Sequence, residues 1–113
     1  PMAEEEFHYG RMLWRKDTDE IYVFFATGYW ARYDDIWNEG ESEYTCGTPQ
    51  SPPTPKRGFG KIWCTNQDVR DGLGNATTAE WATSGVAQSF NGGLILRTAS
   101  GKTHVLYNDR SWR

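Results

Sequence analysis

No run of apolar residues in this sequence approaches the roughly 18 needed to cross a bilayer as a helix. No signal-peptide pattern is visible either, and Pro1 ahead of Met2 reads as a cloning scar, compatible with an exported parent shorn of its targeting sequence. Basic residues nowhere gather: 12 Lys and Arg are scattered among 15 Asp and Glu, for a net charge of −3. A nucleic-acid binder normally shows a basic face, because phosphate contacts supply most of its affinity. The composition therefore argues against a nucleic-acid partner.

Cysteine and histidine are also scarce, with two of each. Cys46 and Cys64 lack C-x-x-C spacing, and two His cannot complete a metal shell around them, so no metal is expected. The pair is either a disulfide or two buried thiols. A disulfide closing that loop would stabilise the fold by about 3 kcal/mol on the loop-entropy model, and would imply an extracytoplasmic home.

Catalytic signatures are missing as well. No Ser or Cys stands in a G-x-S-x-G elbow, and "GFGK" (58–61) lacks the spacing and the Ser/Thr of a phosphate loop. Adjacent Asp34 and Asp35 on a strand point to opposite faces and cannot act as a facing pair. "DTDE" (17–20) offers oxygen ligands at alternate positions but lacks the Gly and distal Glu of a calcium loop; it reads as a polar hairpin turn. No catalytic residue and no cofactor is expected.

What the chain has in surplus is aromatic rings, 15% of residues with six Trp and six Tyr, against a hydrophobic share of only 37%. Such rings each bury a large area, so a few can build a core where aliphatic residues are sparse. At 113 residues the chain is one domain. The opening "MAEEE" reads as an acidic frayed tail, and "FHYGRMLW", "IYVFF" and "YWARY" as three strands of an antiparallel meander. Residues 38–58 hold four of the five prolines, so 38–57 is expected as a surface connection. A helix is predicted over Gln67–Leu73, capped by Thr65, with Asp68 in its first turn and Gly74 as its stop. It is the single helix expected.

The chain then repeats itself. "FHYGRML" (7–13) matches "FNGGLIL" (90–96), and "IYVFFATGYW" (21–30) matches "THVLYNDRSW" (103–112). Phe7 aligns with Phe90, Gly10 with Gly93, Leu13 with Leu96, Val23 with Val105 and Trp30 with Trp112. One meander has an apolar face that it cannot bury alone, so a neighbour must cover it. The expected organisation is a half unit (7–37), the connection (38–57) and a complete unit (58–112), in a mainly β fold of meander repeats, propeller-like or compact.

The unit of about 55 residues carries Leu73, Gly74, Thr77 and Glu80, then Phe90, Gly92, Gly93 and Ile95, with Phe7, Gly10 and Met12 in the shorter copy. This pattern resembles the LGFP repeats of bacterial cell-surface proteins. Here "LGNA" lacks that motif's usual Pro, and "ILRT" lacks its aromatic-Trp pair. The resemblance implies a non-catalytic, cell-wall-associated module at the cell surface or outside the cell.

Aromatics present in both copies, Phe7/Phe90, Trp30/Trp112 and Phe25/Tyr107, are expected in the core. Those in one copy only are free of that demand: Trp14 matches Arg97, Tyr22 matches His104 and Tyr29 matches Ser111, while Trp37, Phe59, Trp63 and Trp81 have no counterpart. They either pack locally or form a platform that stacks on sugar faces, with polar groups such as Asp34 nearby for hydroxyls. Trp14, Tyr22, Tyr29, Trp37, Trp81 and Asp34 are the candidate ligand-binding residues. Two functions follow as expectations: recognition of cell-wall glycan or another polysaccharide, or a protein-interaction module that packs against further repeats, with a homo-oligomer as one form of it.

Overall fold

The computed structural model describes residues 1–46 and 54–113, so the stretch 47–53 of the expected connection lies outside it. Eight strands and two helices follow in order: β1 (Met2–Phe7), β2 (Gly10–Arg15), β3 (Glu20–Phe25), β4 (Trp30–Asp34), α1 (Arg57–Thr65), α2 (Gln67–Leu73), β5 (Trp81–Thr83), β6 (Gly85–Phe90), β7 (Gly93–Thr98) and β8 (Thr103–Tyr107). They form two antiparallel sheets, one ordered β4-β3-β2-β1-β5 and the other β6-β7-β8. The fold is mainly β, as expected. No described helix is long and apolar enough to cross a membrane, and Cys46 and Cys64 are joined as a disulfide.

Strand alternation sorts the first sheet's side chains into two cores. Phe7, Met12, Ile21 and Val23 pack under the helices against Phe59, Ile62, Val69 and Leu73. Leu13, Tyr22, Phe24 and Trp30 face the second sheet, which supplies Leu96 and Leu106. The molecule is thus three layers: helices, five-stranded sheet, three-stranded sheet.

The duplicated sequence folds into duplicated geometry. Phe7 pairs with Gly10 and Gly10 with Phe25; at the matching positions Phe90 pairs with Gly93 and Gly93 with Tyr107. Gly10 and Gly93 adopt φ of 152° and 154°. A Cβ there would lie 1.9 Å from the Phe24 carbonyl oxygen and 1.8 Å from that of Leu106, matched positions again. Only glycine tolerates both the backbone and the approach. The two copies then clasp each other. The Trp30 indole N–H donates to the Tyr107 carbonyl at 2.9 Å, and the Trp112 indole N–H donates to the Phe25 carbonyl at 2.8 Å. Tyr29 and Ser111 form an antiparallel bridge between them. Each half closes the other with the same bond.

Four expectations need correction. "MAEEE" is not a frayed tail but β1, paired on both sides between β2 and β5. Its acidic residues conceal an alternation in which Ala3 and Phe7 reach one core and Met2 the other, while Glu4 is held by Arg11. The described residues form two helices rather than one. "GFGKIWC" looks too glycine-rich for a helix, but Gly60 is there because a Cβ would come within 2.6 Å of the Pro55 carbonyl oxygen. Phe59 and Ile62 supply the buried stripe. Gln67–Leu73 is helical with Gly74 at its C-cap and Asp68 in its first turn, but Asn66 is its N-cap, because Thr65 ends α1 and its hydroxyl donates to the Lys61 carbonyl. Finally, Phe90 is 40% exposed whereas Phe7 is buried: the helices cover only the first sheet.

Candidate functional site

A cleft of about 470 Å³ opens where the chain leaves β4 and where α1 begins, over the helix-facing side of β2 and β3. Two tryptophans and several carboxylates meet there. Trp14 lies at the end of β2, and its indole N–H donates to Asp19 Oδ1 at 2.9 Å across the β2–β3 turn. Asp19 adopts φ 53°, a left-handed conformation that acidic and amide residues tolerate in turns. Trp37 follows β4; its indole N–H donates to the Ser42 carbonyl at 3.0 Å and its backbone N–H to Asp35 Oδ1 at 3.1 Å. Both rings are fixed by hydrogen bonds while remaining half-buried. Arg57, Asn38 and Glu80 complete the polar lining.

The carboxyls of this region sit in a poor solvent. Burial pushes Asp35 above the usual carboxylate range, and the neighbouring Asp19 adds to this. Asp35 is enclosed because α1 starts on top of it: a Cβ on Gly58 would lie 2.6 Å from Asp35 Oδ1. Burial likewise raises Glu80, although Arg57 and Lys56 pull it back. Glu80 and Arg57 also line an adjoining cleft of about 540 Å³ with Glu5, Lys56 and Tyr44. Glu5 is buried, and desolvation, reinforced by Glu80, raises it to about 8. Its Oε1 finds no partner among the described residues. The result is a pair of adjoining clefts lined by carboxyls, of which Glu5 keeps its proton near neutrality. Such groups suit hydroxyl recognition.

Of the six residues singled out from the sequence, the cleft unites two, Trp14 and Trp37. Tyr22 is a correction: it is 1% exposed, in the inter-sheet core, with its hydroxyl donating to Glu20 and accepting from Arg15. Its counterpart His104 is buried in the same core, so both copies do require a ring there. Tyr29 is 51% exposed at the β3–β4 turn, with its ring against Phe25. Trp81 pairs with Glu4 on β5, a position that shares the opposite face of the sheet from Trp14. Asp34 ends β4 exposed, also away from the cleft. Cys46 and Cys64 tether the connection to the last turn of α1, with Cα atoms 5.5 Å apart.

Sequence reasoning missed Arg57 and Glu5; it weighed Asp19 only within the "DTDE" turn and Asp35 only beside Asp34, and met Glu80 in the repeat pattern rather than as a lining residue. Glu5 was legible in principle, since Ala3, Glu5 and Phe7 alternate as one face of a strand. Nothing short of the fold could bring Glu80 to Trp14. Comparison with known protein families, with curated proteins and with solved structures returns no match to this chain.

Proposed function

We propose that the chain is a non-catalytic binding module that holds a polysaccharide in the Trp14–Trp37 cleft, working outside the cytoplasm as part of a bacterial surface or secreted protein. The observation that carries this reading is the meeting of two hydrogen-bonded, half-exposed indoles with partly buried carboxyls in one groove. Indole faces stack on the apolar faces of sugar rings, and oriented carboxyls bind hydroxyls. The disulfide supports an oxidising compartment, and the resemblance to cell-wall repeats points the same way.

The charge of the groove narrows the ligand class. Asp19, Asp35, Glu39 and Glu80 face a single Arg57 in the lining. Anionic polymers such as teichoic acids would meet repulsion, whereas neutral and amino-sugar polymers would not. Calorimetric titration with neutral, amino-sugar and polyanionic oligosaccharides tests this. Neutral or amino-sugar ligands should bind, and Trp37→Ala should weaken them about tenfold, equivalent to about 1.4 kcal/mol. Retention of none of these glycans by the folded protein would refute the reading. Trp37→Ala is preferred to Trp14→Ala because Trp14 also packs against the helix-side core.

A further inference from the structure

The two copies share backbone geometry but not covering, and the difference defines a vacant seat. In the first sheet, α2 closes over Gly10: Leu73 Cδ2 lies 2.7 Å from where a Gly10 Cβ would be, and Gly72 stands against the Phe25 ring. The turn after β1 reaches up to the helix end. The His8 N–H donates to the Asn75 carbonyl and the Tyr9 N–H to the Leu73 carbonyl, both at 3.0 Å. The chain beyond α2 then runs along β1, with Phe7 bridged to Ala76 and the Thr77 N–H donating to the Glu6 carbonyl at 2.8 Å.

Most of the surface that receives α2 exists again in the second sheet, with no occupant among the described residues. Phe90, Ile95, Val105 and Tyr107 stand where Phe7, Met12, Val23 and Phe25 stand, around Gly93 in place of Gly10. The turn amides of Asn91 and Gly92, matching His8 and Tyr9, make no backbone hydrogen bond among the described residues. The strand β6, matching β1, is the open edge of its sheet. At the far end the match changes character: Arg97 and Thr103 replace Trp14 and Ile21, which turns the part nearest α1 polar.

We propose that the outer face of β6-β7-β8 is a docking site for one short amphipathic helix and its following extended turn, supplied by another polypeptide and built like α2 and residues 74–78. The partner's chemistry is set by the seat. It needs two aliphatic residues four apart, as Val69 and Leu73 are, for the Gly93 hollow. A small residue must precede the second of these to clear the Tyr107 ring, as Gly72 clears Phe25. Its helix-terminal carbonyls would accept from the Asn91 and Gly92 amides, and its extended tail would add to the β6 edge. This proposal does not depend on the glycan reading, since the seat lies on the outer face of the second sheet, away from the cleft.

The test uses the full-length, isotopically labelled protein and a synthetic peptide of residues 66–79, which carries the α2 pattern without cysteine. Titration to millimolar peptide, followed by amide chemical shifts, should give saturable changes at Asn91, Gly92, Ile95, Val105 and Tyr107. The same peptide carrying Leu73→Asp should bind at least tenfold more weakly, and this control leaves the protein untouched. Phe90→Glu in the protein, at a position 40% exposed, should do the same. Three results overturn the proposal: no shift at millimolar peptide, shifts confined to the first sheet or the cleft, or concentration-dependent shifts on this face without peptide. The last would mean that a second copy covers it.

Discussion

Two buried titratable side chains pull the stability of this protein in opposite directions with pH. Glu5 is raised from 4.5 to about 8 by desolvation and by Glu80, so the folded state holds a proton that the unfolded chain has released. Its contribution is complete below pH 4.5 and fades as the pH rises towards 8. His104 is lowered from 6.5 to about 4, by burial first and then by Arg11 and Lys102, and so stays neutral where the unfolded chain is charged. That contribution is complete above pH 6.5 and fades as the pH falls towards 4. Urea denaturation across this range should show a broad maximum in between. Glu5→Gln should flatten the alkaline decline, and His104→Phe the acidic one. The histidine change is well tolerated by its surroundings: Nε2 has no partner to lose, and a Phe ring keeps the stack on Phe24 at 4.8 Å. An unchanged acidic limb in His104→Phe would show that another group governs it.

Among the secondary-structure elements, the two Phe-x-x-Gly hairpins are the most tightly specified parts of the chain. Gly93→Ala would bring a Cβ to 1.8 Å from the Leu106 carbonyl oxygen at φ 154°. A cost on the order of 3 kcal/mol is expected, from strain at a glycine-only conformation, read as a fall in the denaturation midpoint with an unchanged slope. The paired glycines were legible because the same short phrase occurs twice. Their setting was not: "FHYGRMLW" reads as one strand, whereas the chain turns at His8 and Tyr9 between β1 and β2. The α2 helix was legible too, from Asp68 and Gly74 at its ends. What escaped were elements whose local signals oppose their fate. In β1 three consecutive glutamates hide a strand, since its burial depends on Arg11 and a proton on Glu5. In α1 two glycines mask a helix, since they serve contacts with Asp35 and Pro55 that no local window contains. The cleft was half legible. The one-copy rule picked out Trp14, and surplus alone picked out Trp37, but the rule failed at Tyr22, where His104 meets the same packing demand with a different ring.

Across the whole molecule, the halves are held by a reciprocal pair of indole bonds, and a double-mutant cycle measures how far they act as one. Trp30→Phe removes the indole bond to the Tyr107 carbonyl, which keeps the Arg110 N–H at 2.9 Å, and Trp112→Phe removes the indole bond to the Phe25 carbonyl, which keeps the Gly28 N–H at 2.9 Å. Each should cost about 0.5–1.5 kcal/mol, the net worth of one hydrogen bond, since the turn amide still satisfies each carbonyl. Because both bonds span the same inter-sheet joint, the double variant should fall short of additivity by at least about 0.5 kcal/mol. Strict additivity would mean that the sheets are joined by independent contacts. Arg110, whose guanidinium carbon lies 4.4 Å from the Trp30 ring centroid, stacks on the same joint and should be left unaltered in these variants.

The clasp also sets a timetable. The Phe25 carbonyl, held locally by the Gly28 N–H, takes its second donor from 87 positions downstream, and the Trp30 indole finds its acceptor 77 downstream. The inner face of the early sheet therefore depends for its cover on residues late in the chain, Leu96, Leu106 and Trp112. Closures over such sequence distances are slow, on the order of milliseconds to seconds. For that interval the exposed Leu13, Phe24 and Trp30 are the surface on which a chaperone would act.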